Sequence, residues 1–175
     1  MAKPSKASAQ TESVAVQKKS LFETVGSFLD GNERRYSADA ESGSYSMSFR
    51  IKDASVRVVI DVFESDEWQR LMTCTMYPIY VPEHRRSAAA EALNRINYVL
   101  LYGNFEMDMV DGEIRFRTTM ESDHGIPESM IERVLYGNLS AADKHFGALM
   151  AVVFGSAEPD GVAALASRPE NVALQ

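Results

Sequence analysis

The chain has one cysteine, Cys74, and one tryptophan, Trp68, in 175 residues. A single thiol excludes an intramolecular disulfide, so the fold does not depend on oxidation, and a cytoplasmic home is the simplest expectation. Positive charge is also in short supply. Lys and Arg number 18 against 25 Asp and Glu, for a formal net charge of -7. Broad, charge-driven binding to nucleic acid needs a basic face, so none is expected. Long apolar runs are missing as well. The most apolar stretch, Ala148 to Phe154, is far shorter than the roughly 20 residues that span a bilayer. Ser, Gln, Thr and Glu interrupt the N-terminal segment, which argues against a secretory signal, and no membrane association is expected.

Motifs of catalysis are lacking too. The chain has no GxSxG elbow, phosphate-binding loop, GxGxxG or HExxH. His84, His124 and His145 fall on different predicted elements, whereas a metal site needs ligands that converge at fixed spacing. Cys74 lies in mid-strand on an apolar face and is expected to be buried and inert, since a reactive thiolate needs an accessible, electropositive setting. The expectation is therefore no catalytic residue, no metal and no cofactor.

What is present suits one core of ordinary size, with 45% hydrophobic residues. Residues 1–12 are rich in Ala, Ser, Lys, Gln and Thr and read as a flexible tail; residues 156–175 read as a second one. Between them, residues 13–155 form a single domain. A first helix is predicted from Ser13 to Asp30, with Leu21, Phe22, Val25, Phe28 and Leu29 on one stripe and Gly31-Asn32 at its end.

Alternation then marks strands. Tyr45, Met47, Phe49 and Ile51 face one way in the first, and Val56, Val58, Ile60 and Val62 in the second. The third runs from Trp68 to Val81, with Met72, Cys74 and Met76 on one side. Short connections make an antiparallel meander. Pro82 stops the third strand and opens a helix from Glu83 to Leu101, with Ala89, Ala92, Leu93, Ile96 and Leu100 buried.

Asp111-Gly112 favours a two-residue hairpin turn. That turn puts Met109 opposite Ile114, Met107 opposite Phe116 and Phe105 opposite Thr118, with Asp108 facing Arg115 and Glu106 facing Arg117. Charge pairing across strands accounts for these acids and bases without catalysis. Pro127 opens another helix, Gly137-Asn138 interrupts it, and Ser140 with Asp143 is expected to cap one more. The order αβββαββαα, with strands in hairpin runs, predicts an α+β fold: an antiparallel sheet of a three-strand meander plus a hairpin, helices on one face.

Two groups of residues suggest contacts. Tyr77 and Tyr80 precede a helix start bearing Arg85 and Arg86, a setting suited to an anion. Trp68 follows an acidic turn and suits either core or partner contact.

The segments Tyr80-Val-Pro-Glu-His-Arg-Arg86, Leu93-Asn-Arg-Ile-Asn97, Gly103-Asn-Phe-Glu-Met-Asp108 and Asp111-Gly-Glu-Ile-Arg-Phe-Arg117 resemble, in this order, the YbjN family of bacterial proteins labelled as sensory transduction regulators. The resemblance runs from Leu21 to Phe154. It implies a fold like that of type III secretion chaperones, and it brings no catalytic residues to carry over. Together with the missing chemistry, it predicts a non-enzymatic regulatory or chaperone-like protein-binding module, a homodimer, with Trp68, Tyr77, Tyr80, Arg85 and Arg86 as candidate contacts. The alternative is a sensor of a small anion or phosphometabolite at Arg85 and Arg86.

Overall fold

The computed structural model describes residues 19–162. The helix α1, Leu21–Gly31, opens on the first residue of the apolar stripe. Ser20 fixes that start. Its hydroxyl accepts from the Glu23 N–H at 3.0 Å, and the Glu23 carboxylate accepts from the Ser20 N–H at 3.0 Å. This reciprocal pair closes a capping box. The Glu64 carboxylate adds a third contact to the helix start, accepting from the Leu21 N–H at 2.8 Å. The predicted helical residues before 19 lie outside the described residues, as does the N-terminal tail.

Among the described residues six strands follow: β1 Ser37–Asp39, β2 Ser44–Arg50, β3 Ser55–Glu64, β4 Gln69–Tyr80, β5 Asn104–Met107 and β6 Glu113–Ser122. The helix α2, Arg86–Val99, joins β4 to β5 after a short 3-10 turn, Glu83–Arg85. A further helix, α3, is Glu128–Val153. The strands form one antiparallel sheet in the order β1-β2-β3-β4-β6-β5. The strand β1 has no apolar alternation to signal it; all three residues are exposed.

Inward residues of the strands meet the helices. Tyr45, Met47, Val56, Val58, Ile60, Val62, Leu71, Tyr77, Phe105, Ile114 and Phe116 join the apolar stripes of α1, α2 and α3 in one core. The α+β expectation therefore holds, and the helices cover one face of the sheet.

Two local expectations are corrected. The hairpin register slips by two residues: Met107 pairs with Ile114, Phe105 with Phe116, Glu106 with Arg115 and Asn104 with Arg117. The connection is a five-residue loop over residues 108–112, not a two-residue turn. The Asp108 carboxylate accepts from the Val110 N–H, and that of Asp111 from the Glu113 N–H, which builds two tight bends. Gly112, at φ 88°, packs its backbone onto Val81, whose N–H donates to the Gly112 carbonyl at 2.9 Å; a β-carbon there would lie 2.3 Å from the Val81 oxygen. A slip of two keeps the inward set facing inward.

The second correction concerns α3, one 26-residue helix where two were expected. Gly137 and Asn138 weaken a helix in isolation. Here each has a tertiary role. The Tyr102 ring lies against Gly137, leaving no room for a β-carbon. Asn138 is fully buried, and its side chain bonds the sheet. Asp143 does not cap; its carboxylate accepts from the Lys52 N–H at 2.8 Å. At the other end, the tail expected from residue 156 packs over its first residues, and Val162 is fully buried in the core.

Candidate binding face

The strand β4 is the spine of the site. Its 12 residues span about 40 Å in extended conformation. Leu71, Thr73, Thr75 and Tyr77 point to the helices. Arg70, Met72, Cys74 and Met76 point to the opposite side, which no helix of the described residues covers. Pairing registers then build that side as rows. Ser46, Val59, Cys74, Arg117 and Asn104 form one row. Ser48, Arg57, Met76, Arg115 and Glu106 form the next, while Asp61, Met72 and Thr119 flank the first on its other side. Phe63, Arg70 and Glu121 close the pattern.

The centre of this face is apolar and only partly wet. Cys74 is buried although no helix lies over it, and Val59, Met72 and Met76 are half-buried. Burial, above all, pushes the Cys74 thiol above its ordinary pKa, which disfavours the thiolate.

The surround is charged and mostly paired. The Glu106 carboxylate takes Arg115 at 2.8 Å and Arg117 at 2.6 Å, and Arg70 meets Glu121 at 2.5 Å. Burial alone would raise the Glu106 pKa. Hydrogen bonds from Asn104 and Arg115, with the charges of Arg117 and Arg115, hold it below the usual carboxylate value. Asp61 goes the other way: burial raises its pKa, and the charge of Arg115 offsets this only in part.

Two aromatic ends bracket the strip. Trp68 is half-buried, with the Arg70 guanidinium 5.0 Å above its ring. It lines a cleft of about 400 Å³ with Lys19, Glu64, Asp66, Gln69 and Asp123. At the far end the β4–β6 register shifts between Met76 and Tyr80, and Tyr80 then pairs with Glu113. Tyr80 is 62% exposed and lines a second hollow with Ser48, Arg57, Met76 and Pro78.

The five candidate contacts thus separate. Trp68 and Tyr80 stand at opposite ends of the uncovered face. Tyr77 belongs to the core: its hydroxyl donates to the Ala142 carbonyl at 2.6 Å, and its ring packs against Phe146. Arg85 donates to the Val152 carbonyl at the end of α3, with its Nε buried. Arg86 spans the Val81 and Met109 carbonyls, each at 3.2 Å. These two guanidiniums stitch the start of α2 to its surroundings and do not converge on one open cradle.

Sequence reasoning missed Arg57, Phe63 and Arg70 on this face. The signal was weak because β4 carries large apolar residues at both parities, Leu71 and Tyr77 against Met72 and Met76. His84 and His124 are exposed and His145 is buried on α3, so they share no site. Among the described residues no group of His, Cys, Asp and Glu is arranged to hold a metal ion, and no helix is long and apolar enough to cross a membrane.

Comparison with known proteins adds the following. The sequence model of the YbjN family, described as "Putative bacterial sensory transduction regulator", matches residues 22–150. No curated protein matches the chain. Among solved structures, YbjN from E. coli, "a putative transcription regulator", is similar at 12% identity and a TM-score of 0.52, over 82% of this chain and 92% of that one. An uncharacterised protein from Methanothermobacter thermautotrophicus gives 12% identity and 0.49, over 75% and 97%. The HopA1-SchA chaperone-effector complex gives 18% and 0.45, over 69% and 89%.

Proposed function

The chain belongs to the YbjN family, and from that premise we propose that it is a non-enzymatic regulatory or chaperone-like module that binds a protein partner on the uncovered face of its sheet. One observation carries the reading: the strip Val59, Met72, Cys74 and Met76 is apolar, lies under no helix of the described residues and is bracketed by Trp68, Phe63 and Tyr80. An apolar patch rimmed by charge is the usual signature of a protein contact. Arg57 has no ion-pair partner among the described residues and adds an open charge for an acidic group of the partner. The alternative, an anion sensor at Arg85 and Arg86, loses support because both guanidiniums already hold backbone carbonyls. A homodimer belongs to the same reading.

The test compares capture by the wild-type chain, Trp68→Ala and Met76→Glu from a bacterial lysate, followed by titration of each captured protein in purified form. The expected result is a partner that binds the wild type and loses at least about tenfold in affinity with Met76→Glu, while the melting temperature is held. Equal binding by all three chains, or no binder at all, would overturn the assignment to this face.

A further inference from the structure

The sheet has an open edge beside the short pairing of β5 with β6. The strand β5 covers β6 only from Ile114 to Arg117, so residues 118–122 of β6 have no strand neighbour on that side among the described residues. Their backbone groups alternate in direction. The Glu113 carbonyl accepts from Asp108 on the β5 side, and the Arg117 carbonyl lies 2.9 Å from where a Gly103 β-carbon would stand, again on the β5 side. Alternation therefore aims the N–H and C=O of Thr119 and Glu121 at the empty side. Gly103, at φ 69°, turns the chain away from β6 there.

What lies beside that edge is apolar. A hollow of about 550 Å³ is lined by Tyr102, Thr118, Met120, Val134, Tyr136 and Gly137. The segment that leads into β5 leaves large apolar side chains in water: Leu101 is 99% exposed and Tyr98 91%, with Val99 and Tyr102 also exposed. Scattered apolar residues on a surface need no explanation, but a run of this kind beside an unpaired edge does. Tyr102 belongs to both features.

We propose that a second copy of this chain covers this edge, with residues 118–122 of the two β6 strands paired antiparallel across a two-fold axis at Met120. An antiparallel edge is complementary to itself, which a two-fold interface requires. In that register Thr119 of one copy exchanges both hydrogen bonds with Glu121 of the other, and the two Met120 side chains meet on the inward side, each entering the other's hollow. The exposed runs at residues 98–102 flank the paired strands. Two tyrosines, a leucine and a valine offer on the order of 500 Å² of surface per copy; with the paired strands this approaches the roughly 800 Å² per partner of a standard interface. At the other end of the hairpin the β5 edge is closed to such pairing. The Asn97 amide of α2 accepts from the Phe105 N–H at 2.8 Å and donates to its carbonyl at 3.0 Å, as a neighbouring strand would. The inference takes up the homodimer of the proposed function, but it rests on a different surface from the partner-binding face, so either can fail alone.

The test is sedimentation equilibrium of the full chain with Thr119→Pro and Leu101→Lys, alongside cross-linking of Met120→Cys by oxidised glutathione. The wild type is expected at twice the monomer mass. Thr119→Pro removes an N–H that β4 does not use, so it should yield monomers with an unchanged circular dichroism spectrum. Leu101→Lys, at a fully exposed position, should raise the dimer dissociation constant at least about tenfold. Opposed residues of a non-hydrogen-bonded antiparallel pair stand about 4.5 Å apart at Cα, within disulfide reach. Met120→Cys should therefore cross-link, and Val110→Cys on the distant hairpin loop should not. A wild type at monomer mass overturns the proposal. So does a dimer that survives Thr119→Pro and leaves Met120→Cys uncross-linked.

Discussion

On one side β4 presents Thr73, Thr75 and Tyr77 to α3; on the other it presents Met72, Cys74 and Met76 to no helix of the described residues. The polarity is the reverse of a simple inside-outside rule. The covered side tolerates the Thr75 and Tyr77 hydroxyls because α3 answers them, while the Thr73 hydroxyl stays buried without a partner among the described residues. The Asn138 amide donates to the Thr73 and Phe116 carbonyls at 3.0 and 3.1 Å and to the Thr118 hydroxyl at 2.9 Å, while Thr75 donates to its carbonyl oxygen at 2.6 Å. The Tyr77 hydroxyl donates to Ala142 one turn on. The uncovered side keeps its methionines partly dry with neighbouring side chains and ion pairs alone. Where most buried polar groups are paired across elements, the sheet and α3 are held in one arrangement; where apolar groups are left half-wet, a surface is ready for something else.

The sharpest way to break this comparison is Asn138→Ala. It strips partners from the buried Thr75 and Thr118 hydroxyls and from two strand carbonyls at once. The two carbonyls keep their ladder partners, so at roughly 1–3 kcal/mol for each buried hydroxyl left unpaired the loss should reach about 3 kcal/mol. Urea denaturation followed by circular dichroism measures it. A loss no larger than that of a surface substitution would mean that the network does not hold α3 to the sheet.

A pH effect of intermediate size comes from the same side. His145 is buried on α3 with its ring edge-on to Phe105, and its Nδ1 lies 2.9 Å from the Ala141 carbonyl. Burial, above all, holds its pKa below the ordinary value of 6.5. The unfolded chain therefore binds a proton that the folded one refuses. Stability is complete above about pH 6.5 and declines as pH falls from there toward the folded value, by at most about 1.4 kcal/mol per pH unit. His145→Gln should flatten that part of the profile between about pH 7.5 and 5.5. An unchanged slope in the variant would locate the pH dependence elsewhere.

The same division explains what could be read from the sequence. The meander was legible because β2 and β3 alternate strictly, and the Tyr45–Ile51 and Val56–Val62 patterns allow one assignment each. The strand β4 was found, but which parity faces the helices was not, since Met72 and Met76 are as apolar as Leu71 and Tyr77. Deciding it takes Asn138, 63 residues from Thr75 in the chain. The one-helix nature of α3 was hidden for the same reason: Gly137 and Asn138 look like a break until Tyr102 and the sheet occupy them. The Asp-Gly signal found the hairpin but not its length, because the docking of Gly112 onto Val81 is a tertiary fact. Of the candidate site, Trp68 and Tyr80 were picked out by type. Their separation to the two ends of one face followed from the β4 length and its bulge.

The smallest expected effect lies at the rim of the uncovered face. Glu106→Gln removes the charge that holds Arg115 and Arg117. Both arginines are well exposed, so solvent screens the pairs, and the loss should stay below about 1 kcal/mol and shrink further in high salt. The pKa of Glu106 is lowered in the folded state, so its contribution is present above the ordinary carboxylate value and disappears as pH falls through the lower, folded one. Wild type and variant should therefore differ slightly near about pH 7 and converge at lower pH, as read from paired denaturation curves. A loss as large as that of Asn138→Ala would erase the distinction between the faces: it would make the uncovered side a second structural layer and leave it less free to receive a partner.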